Sequence, residues 1–299
     1  MIHVLNGNTM TDFKIDMMAE DDTSAISLGP IGVFDSGYGG LTILRELRRT
    51  LPQYDYLYLG DNARAPYGSR SFQVVYRYTL EAVRELFARG CPLVILACNT
   101  ASAKALRTIQ QRDLPDIDPS RRVLGVIRPT VEILGDVSAS RHVGVLATAG
   151  TVASHSYMIE TVKLFPDMLV TEQACPLWAA IVESSEADSE GADYFVRKRI
   201  DALMQRDPEI DTIVLGCTHY PLLMDKIRKY VPEGTCVLEQ GQLVAESLKD
   251  YLRRHPEMEC RLAKNGIAQY LTSENPENFD SLASLFTNDN VRSSHCPLG

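Results

Sequence analysis

The chain has 299 residues, 45% hydrophobic and 23% charged, with a formal net charge of −9. That length allows one large domain or two ordinary ones with a full core, and the acidic balance excludes a nucleic-acid or anionic-membrane surface as the first reading. Seven cysteines, an odd number at irregular spacing with no export signal ahead of them, predict free thiols in a reducing cytoplasm and no disulfide framework.

Residues 1–28 have no basic start, apolar core or cleavage site, and read as a disordered acidic tail, not a targeting segment. The fold is predicted to begin near Gly29-Pro30. "IGVFD" reads as a buried strand that leads through the glycine-rich turn "SGYGG" into a helix over 41–50. "DYLYLG" is a second strand, followed by the polar loop "DNARAPYGSRS". A longer helix over 72–89 is closed by Gly90, in the place a C-terminal cap prefers. "PLVILA" is the third strand, far too short to cross a bilayer, and 99–111 the third helix. The rhythm resumes with "RVLGV", "HVGVLA", "MLVTEQA", "TIVLG" and "CVLE", each followed by a helical stretch. Strands apolar on both faces, separated by helices, imply an α/β fold with parallel sheets covered on both sides.

Two segments repeat one theme. In "LVILACNTASA" and "TIVLGCTHYPLL" a β-branched run stops at a small residue, and a cysteine follows, Cys98 in one and Cys217 in the other. "IGVFDSGYGG" and "VGVLATAGTV" form a second such pair at nearly the same offset. The pattern points to two similar halves facing each other, although any α/β chain can yield such coincidences. Ligands of open parallel sheets sit at the carboxyl ends of the strands. Four polar clusters fall there: Asp35-Ser36, the loop 61–68, Cys98-Asn99-Thr100 and Cys217-Thr218-His219. Each cysteine is predicted just before a helix, where free amides and the dipole favour a thiolate. The unperturbed thiol pKa of about 8.5 suits acid–base work near neutral pH. One thiol on each side of a bound molecule suits a reaction that needs a base on one face of a carbon and an acid on the other, such as racemisation. "SGYGG" lacks both nucleotide-binding glycine patterns, so a nucleotide site there is not expected.

"GVFDSGYGGL", "GDNARAPYG", "ACNTASA", "GVLATAGTV" and "LGCTHYPLL" closely resemble, in order, the signature blocks of the glutamate racemases of the aspartate/glutamate racemase family. The resemblance runs from about Ile31 to Phe286. It implies a cofactor-independent enzyme that interconverts L- and D-glutamate for peptidoglycan. It also implies two flavodoxin-like domains related by pseudo-twofold symmetry, with the active site between them. The first domain would comprise 29–120 plus 241–299, and the second 121–240. Cys98 and Cys217 match the two proton-exchanging cysteines, Asp35 the carboxylate beside the first and His219 the imidazole beside the second. Ser36, Pro66, Tyr67, Gly68, Asn99, Thr100 and Thr218 match substrate-holding positions, and Glu183 an acid at the edge of the site. In the L-to-D direction the resemblance makes Cys217 the base and Cys98 the acid. A cytoplasmic homodimer follows on family grounds, with a small-molecule substrate, no nucleic acid, no membrane and no metal.

Competing readings are a sister enzyme for aspartate, zinc held by the thiols with His219 and Asp35, a cysteine hydrolase and a binding module. The hydrolase leaves the second thiol unexplained, and the module leaves both. Cys91, Cys175, Cys236, Cys260 and Cys296 read as small hydrophobes. Arg128 departs from the acidic or neutral residue expected there and points to an altered contact between domains.

Overall fold

In this computed structural model, residues 28–287 and 290–299 are described. The predicted tail, apart from Leu28, lies outside them. All the strands run parallel within two sheets. The first sheet contains β1 (Ile31–Asp35), β2 (Tyr56–Gly60), β3 (Leu93–Leu96), β4 (Arg122–Gly125), β9 (Ala268–Thr272) and β10 (Ser293–His295), in the order β10-β9-β2-β1-β3-β4. The second contains β5 (His142–Ala147), β6 (Leu169–Ala174), β7 (Thr212–Gly216) and β8 (Cys236–Leu238), in the order β6-β5-β7-β8. Without β9 and β10 the two sheets are wound identically, so β1 corresponds to β5 and β3 to β7. The predicted duplication is a duplication of topology.

The strand runs are apolar throughout because both faces are covered. Val33 and Ile95 enter a core shared by the two sheets, together with Leu146, Ile213 and Leu215 from the second. Their neighbours Phe34, Val94 and Leu96 face a core under the helices of the first sheet, and Val143, Val145 and Val214 one behind the second. Helix α1 (Gly40–Thr50) buries Leu41, Leu44 and Leu47 and packs along the Gln240–Arg254 helix. Helix α2 (Phe72–Ala88) starts at Ser71, which accepts the Val74 N–H. It ends before Gly90, whose φ of +88° is the left-handed value that favours glycine.

Two expectations need correction, and two strands go beyond them. The boundary at 120/121 is misplaced, because β4 pairs with β3 residue for residue and belongs to the first sheet. The chain crosses to the second sheet only after Gly125, and returns through the Gln240–Arg254 helix. The third helix is not continuous over 99–111. Helix α3 (Asn99–Lys104) breaks at Ala105, where φ is −119°, and the chain continues through a short helix and a π-helical turn over Ile109–Asp113. Apolar spacing does not distinguish that wider winding from a regular helix. Strands β9 and β10 were not anticipated, because "AQYLT" and "SSH" carry little of the apolar run that marks a buried strand. Arg128 pairs within the stretch past the crossover, its guanidinium 2.9 Å from Glu132 and 3.8 Å from Glu160 on the Ser156–Leu164 helix; it is Arg107 of the first half that reaches Glu160 across the halves, at 3.1 Å.

Candidate active site

The two cysteines follow corresponding strands, β3 and β7, so identical winding brings them to corresponding places. Asp35 is the last residue of β1 and Cys98 lies just past β3, its neighbour in the sheet. Cys98 is the N-cap of α3, and the Ala101 N–H donates to its Sγ at 3.4 Å. The Ser36 hydroxyl is also 3.4 Å from that sulfur. Asp35 Oδ1 accepts the Gly37 N–H at 2.8 Å, while Oδ2 is buried with no hydrogen-bond partner. Burial raises the Asp35 carboxyl above its ordinary value, against the pull of the nearby His219 charge. Burial, and then the neighbouring Asp35, push the Cys98 thiol up to about 12. The expectation that a helix start would favour the thiolate is therefore overturned here. One amide from a six-residue helix and the Ser36 hydroxyl do not offset desolvation and a like charge.

The other half-site is built differently. Cys217 does not precede an α-helix directly: a 3₁₀ turn over Tyr220–Leu223 intervenes before Met224–Tyr230. That turn keeps His219 beside Cys217, with Nδ1 3.7 Å from the sulfur and Nε2 2.8 Å from Glu183 Oε1. Burial works against a charged imidazole, but the hydrogen bonds to Cys217 and Glu183 outweigh it and push His219 up to about 10. The halves meet at Gly39. A Cβ there would lie 2.2 Å from Thr218 Oγ1 and 2.5 Å from His219 Nδ1. Gly39 of "SGYGG" thus admits the opposite half-site.

All the residues predicted for the site border one cavity of about 110 Å³. That is well below the roughly 300–1,000 Å³ of sites for drug-sized ligands, and suits a molecule of amino-acid size. A larger cavity, about 670 Å³, is lined by none of them. Three residues take unexpected positions. The Tyr67 hydroxyl donates to buried Asp61, so Tyr67 buttresses the 61–68 loop. The Asn99 amide is engaged with Gln240 and Tyr157, which leaves its backbone N–H in the first turn of α3 as its polar group for a ligand. Glu183 pairs with His219. Thr148 was missed: it lines the cavity, caps the Ala149–Ser154 helix and lies 2.9 Å from the Thr100 hydroxyl. Its signal was available, since it follows β5 as Ser36 follows β1. The loop 61–68 is held across the halves by the Gly150 N–H donating to the Gly68 carbonyl at 2.7 Å. Among the described residues no group of three or more His, Cys, Asp or Glu side chains is placed to hold a metal ion. None of the helices among them is long and apolar enough to cross a membrane.

The Asp/Glu/hydantoin racemase family model matches residues 32–248. The chain is 42% identical over 267 residues to glutamate racemase from Ruegeria sp. (strain TM1040), covering 86% of this chain and 96% of that one. It is 40% identical over 273 residues to glutamate racemase from Paracoccus denitrificans, covering 88% and 98%. Among solved structures, a glutamate racemase isoform from Bacillus anthracis superposes with a TM-score of 0.82 at 32% identity, covering 90% and 98%. Glutamate racemase from Francisella tularensis in complex with D-glutamate gives 0.79 at 27% identity, covering 90% and 97%.

Proposed function

The chain belongs to the Asp/Glu/hydantoin racemase family and is an amino-acid racemase, and on that premise we propose that it interconverts L- and D-glutamate by proton transfer between two thiols. The observation that carries this reading is the pair of cysteines on corresponding strand ends, facing one small cavity from opposite halves. The likeness to glutamate racemases over most of the chain supports glutamate as the substrate.

From L-glutamate, the Cys217 thiolate takes the α-proton while the His219 imidazolium, anchored by Glu183, balances the sulfur's charge. The electron pair left on Cα spreads into the substrate carboxylate. First-turn amides of α3 and the hydroxyls of Thr100 and Thr148 are suited to stabilise that charge. Cys98, kept protonated by burial and by Asp35, gives its proton to the opposite face, leaving D-glutamate and a Cys98 thiolate. The reverse direction exchanges the roles, and solvent protons reset the pair. Asp35 Oδ2 is an acceptor suited to the substrate ammonium. No step needs a cofactor. We assign the enzyme to the cytoplasm, as a homodimer that supplies D-glutamate for peptidoglycan.

The test is incubation of EDTA-treated protein with L-glutamate in D2O, following the α-proton by NMR and optical activity by circular dichroism. Washout and racemisation together are expected. Exchange with neither glutamate isomer, but with aspartate, would replace the substrate assignment, and no exchange with any α-amino acid would sink the two-thiol reading.

A further inference from the structure

Behind the cavity, three polar side chains, of which Asn99 lines it, form a closed hydrogen-bond ring. The Tyr157 hydroxyl donates to Asn99 Oδ1 at 2.7 Å. Asn99 Nδ2 donates to Gln240 Oε1 at 2.6 Å, and Gln240 Nε2 donates back to the Tyr157 oxygen at 2.8 Å. Gln240 Nε2 also reaches Thr130 Oγ1 at 2.9 Å and the Val126 carbonyl at 3.3 Å. That carbonyl fixes the direction of the ring. A reversed Gln240 would set its own oxygen against it, and the Thr130 hydroxyl is already donating there. All three ring members are buried, none more than 3% exposed.

The placement gives the ring its meaning. Asn99 adjoins Cys98 in the first half, and Tyr157 lies on the Ser156–Leu164 helix of the second. Gln240 begins the helix by which the chain returns to the first sheet, and Val126 and Thr130 stand where it leaves. One glutamine side chain therefore touches both crossovers and the turn that carries a thiol. The Asn99 amide, engaged in this way, is a strut and not a ligand group.

We propose that Gln240 and Tyr157 are positioning residues for Cys98. Their ring locks the first turn of α3 against the second half and so sets where the Cys98 sulfur stands relative to the substrate. The inference rests on the two-thiol racemase reading above. Both losses fall on Asn99: without the Tyr157 hydroxyl its Oδ1 has no donor, and without the Gln240 amide its Nδ2 has no acceptor.

The experiment uses the full chain as Tyr157→Phe, Gln240→Met and the double variant, assayed with L- and D-glutamate, each with hydrogen or deuterium at Cα. Each single variant is expected to lose about 10–100-fold in kcat with KM held within about twofold, as a misplaced reacting group does. The double variant is expected to be no worse than the worse single one, because the ring is broken only once. Since the transfer at Cys98 becomes limiting, the deuterium effect on kcat/KM grows for D-glutamate and shrinks for L-glutamate. A lowered melting temperature with unchanged kcat, or isotope effects that move together for both isomers, would overturn the proposal. Tyr157→Phe removes a single oxygen and decides the question if Gln240→Met does not fold. An unaltered chain that leaves both isomers untouched overturns the racemase reading and this proposal with it. An active unaltered chain matched by its variants overturns the proposal alone.

Discussion

The two half-sites share a strand order and a cysteine, and almost nothing else. Cys98 stands against a buried carboxylate, with a hydroxyl and one amide for company. Cys217 stands against an imidazole that a second carboxylate holds in place. The first surroundings oppose another negative charge and keep a proton on sulfur; the second supply a cation to pair with a thiolate. Duplication of the winding thus delivers symmetric positions, and local side chains make them chemically opposite. On the proposed mechanism, a substrate between them would meet an acid on one side and a base on the other.

Removing either thiol tests that contrast most severely. Cys98→Ala and Cys217→Ala are each expected to lower racemisation by about 10²–10⁴-fold, the range for a general acid or base. In D2O, Cys98→Ala should still exchange the α-proton of L-glutamate, and Cys217→Ala that of D-glutamate. Loss of this isomer preference would break the comparison. Gly39→Ala comes next, because its Cβ would force Thr218 and His219 away. A fall of about 10²-fold in kcat/KM is expected, as for a displacement near 1 Å, with a stability loss of about 1–3 kcal/mol in chemical denaturation.

Asp35→Asn sharpens the first half-site. A carboxyl raised by folding stabilises below its unfolded value of 3.8 and loses that contribution as pH climbs toward its folded value. The melting temperature of the variant, relative to that of the unaltered chain, should therefore be higher at pH 7 than at pH 3. With the neighbouring charge gone, its Cys98 thiol should titrate below about 12. An unchanged difference in melting temperature between the two pH values would show that Asp35 is not desolvated as described. Glu183→Gln probes the second half-site with the smallest effect, less than about tenfold in kcat. His219 is raised on folding, so its stabilising contribution is complete below pH 6.5 and is lost as pH rises through about 10. In the variant the alkaline fall of both stability and kcat/KM should begin at lower pH.

Much of this was legible in the residues. The alternation of strands and helices, the paired cysteines and the polar ends of the strands led to the right fold and to one cavity. What stayed hidden depends on partners distant in sequence. "RVLG" reads equally well as the start of one domain or the end of another until its pairing with β3 is seen. The motif around Asn99 advertises a donor, but only Tyr157 and Gln240, 58 and 141 residues away, reveal that the amide is engaged. The raised thiol of Cys98 is hidden because burial has no local signature comparable to a helix start. Gln240 itself carries no motif at all.

The pairing of β2 with β9 has a consequence for synthesis. Gly60 and Thr272, whose strands pair in register, are 212 positions apart, whereas the second sheet draws all its strands from 142–238. At about 5–20 residues per second, the growing chain holds that edge of β2 open for on the order of 10–40 s, long after the inserted half has everything it needs to close. An open edge of "YLYLG" is adhesive. Slow translation or scarce chaperones should therefore penalise the first half selectively, through nascent chains that stick to one another before their last strands arrive.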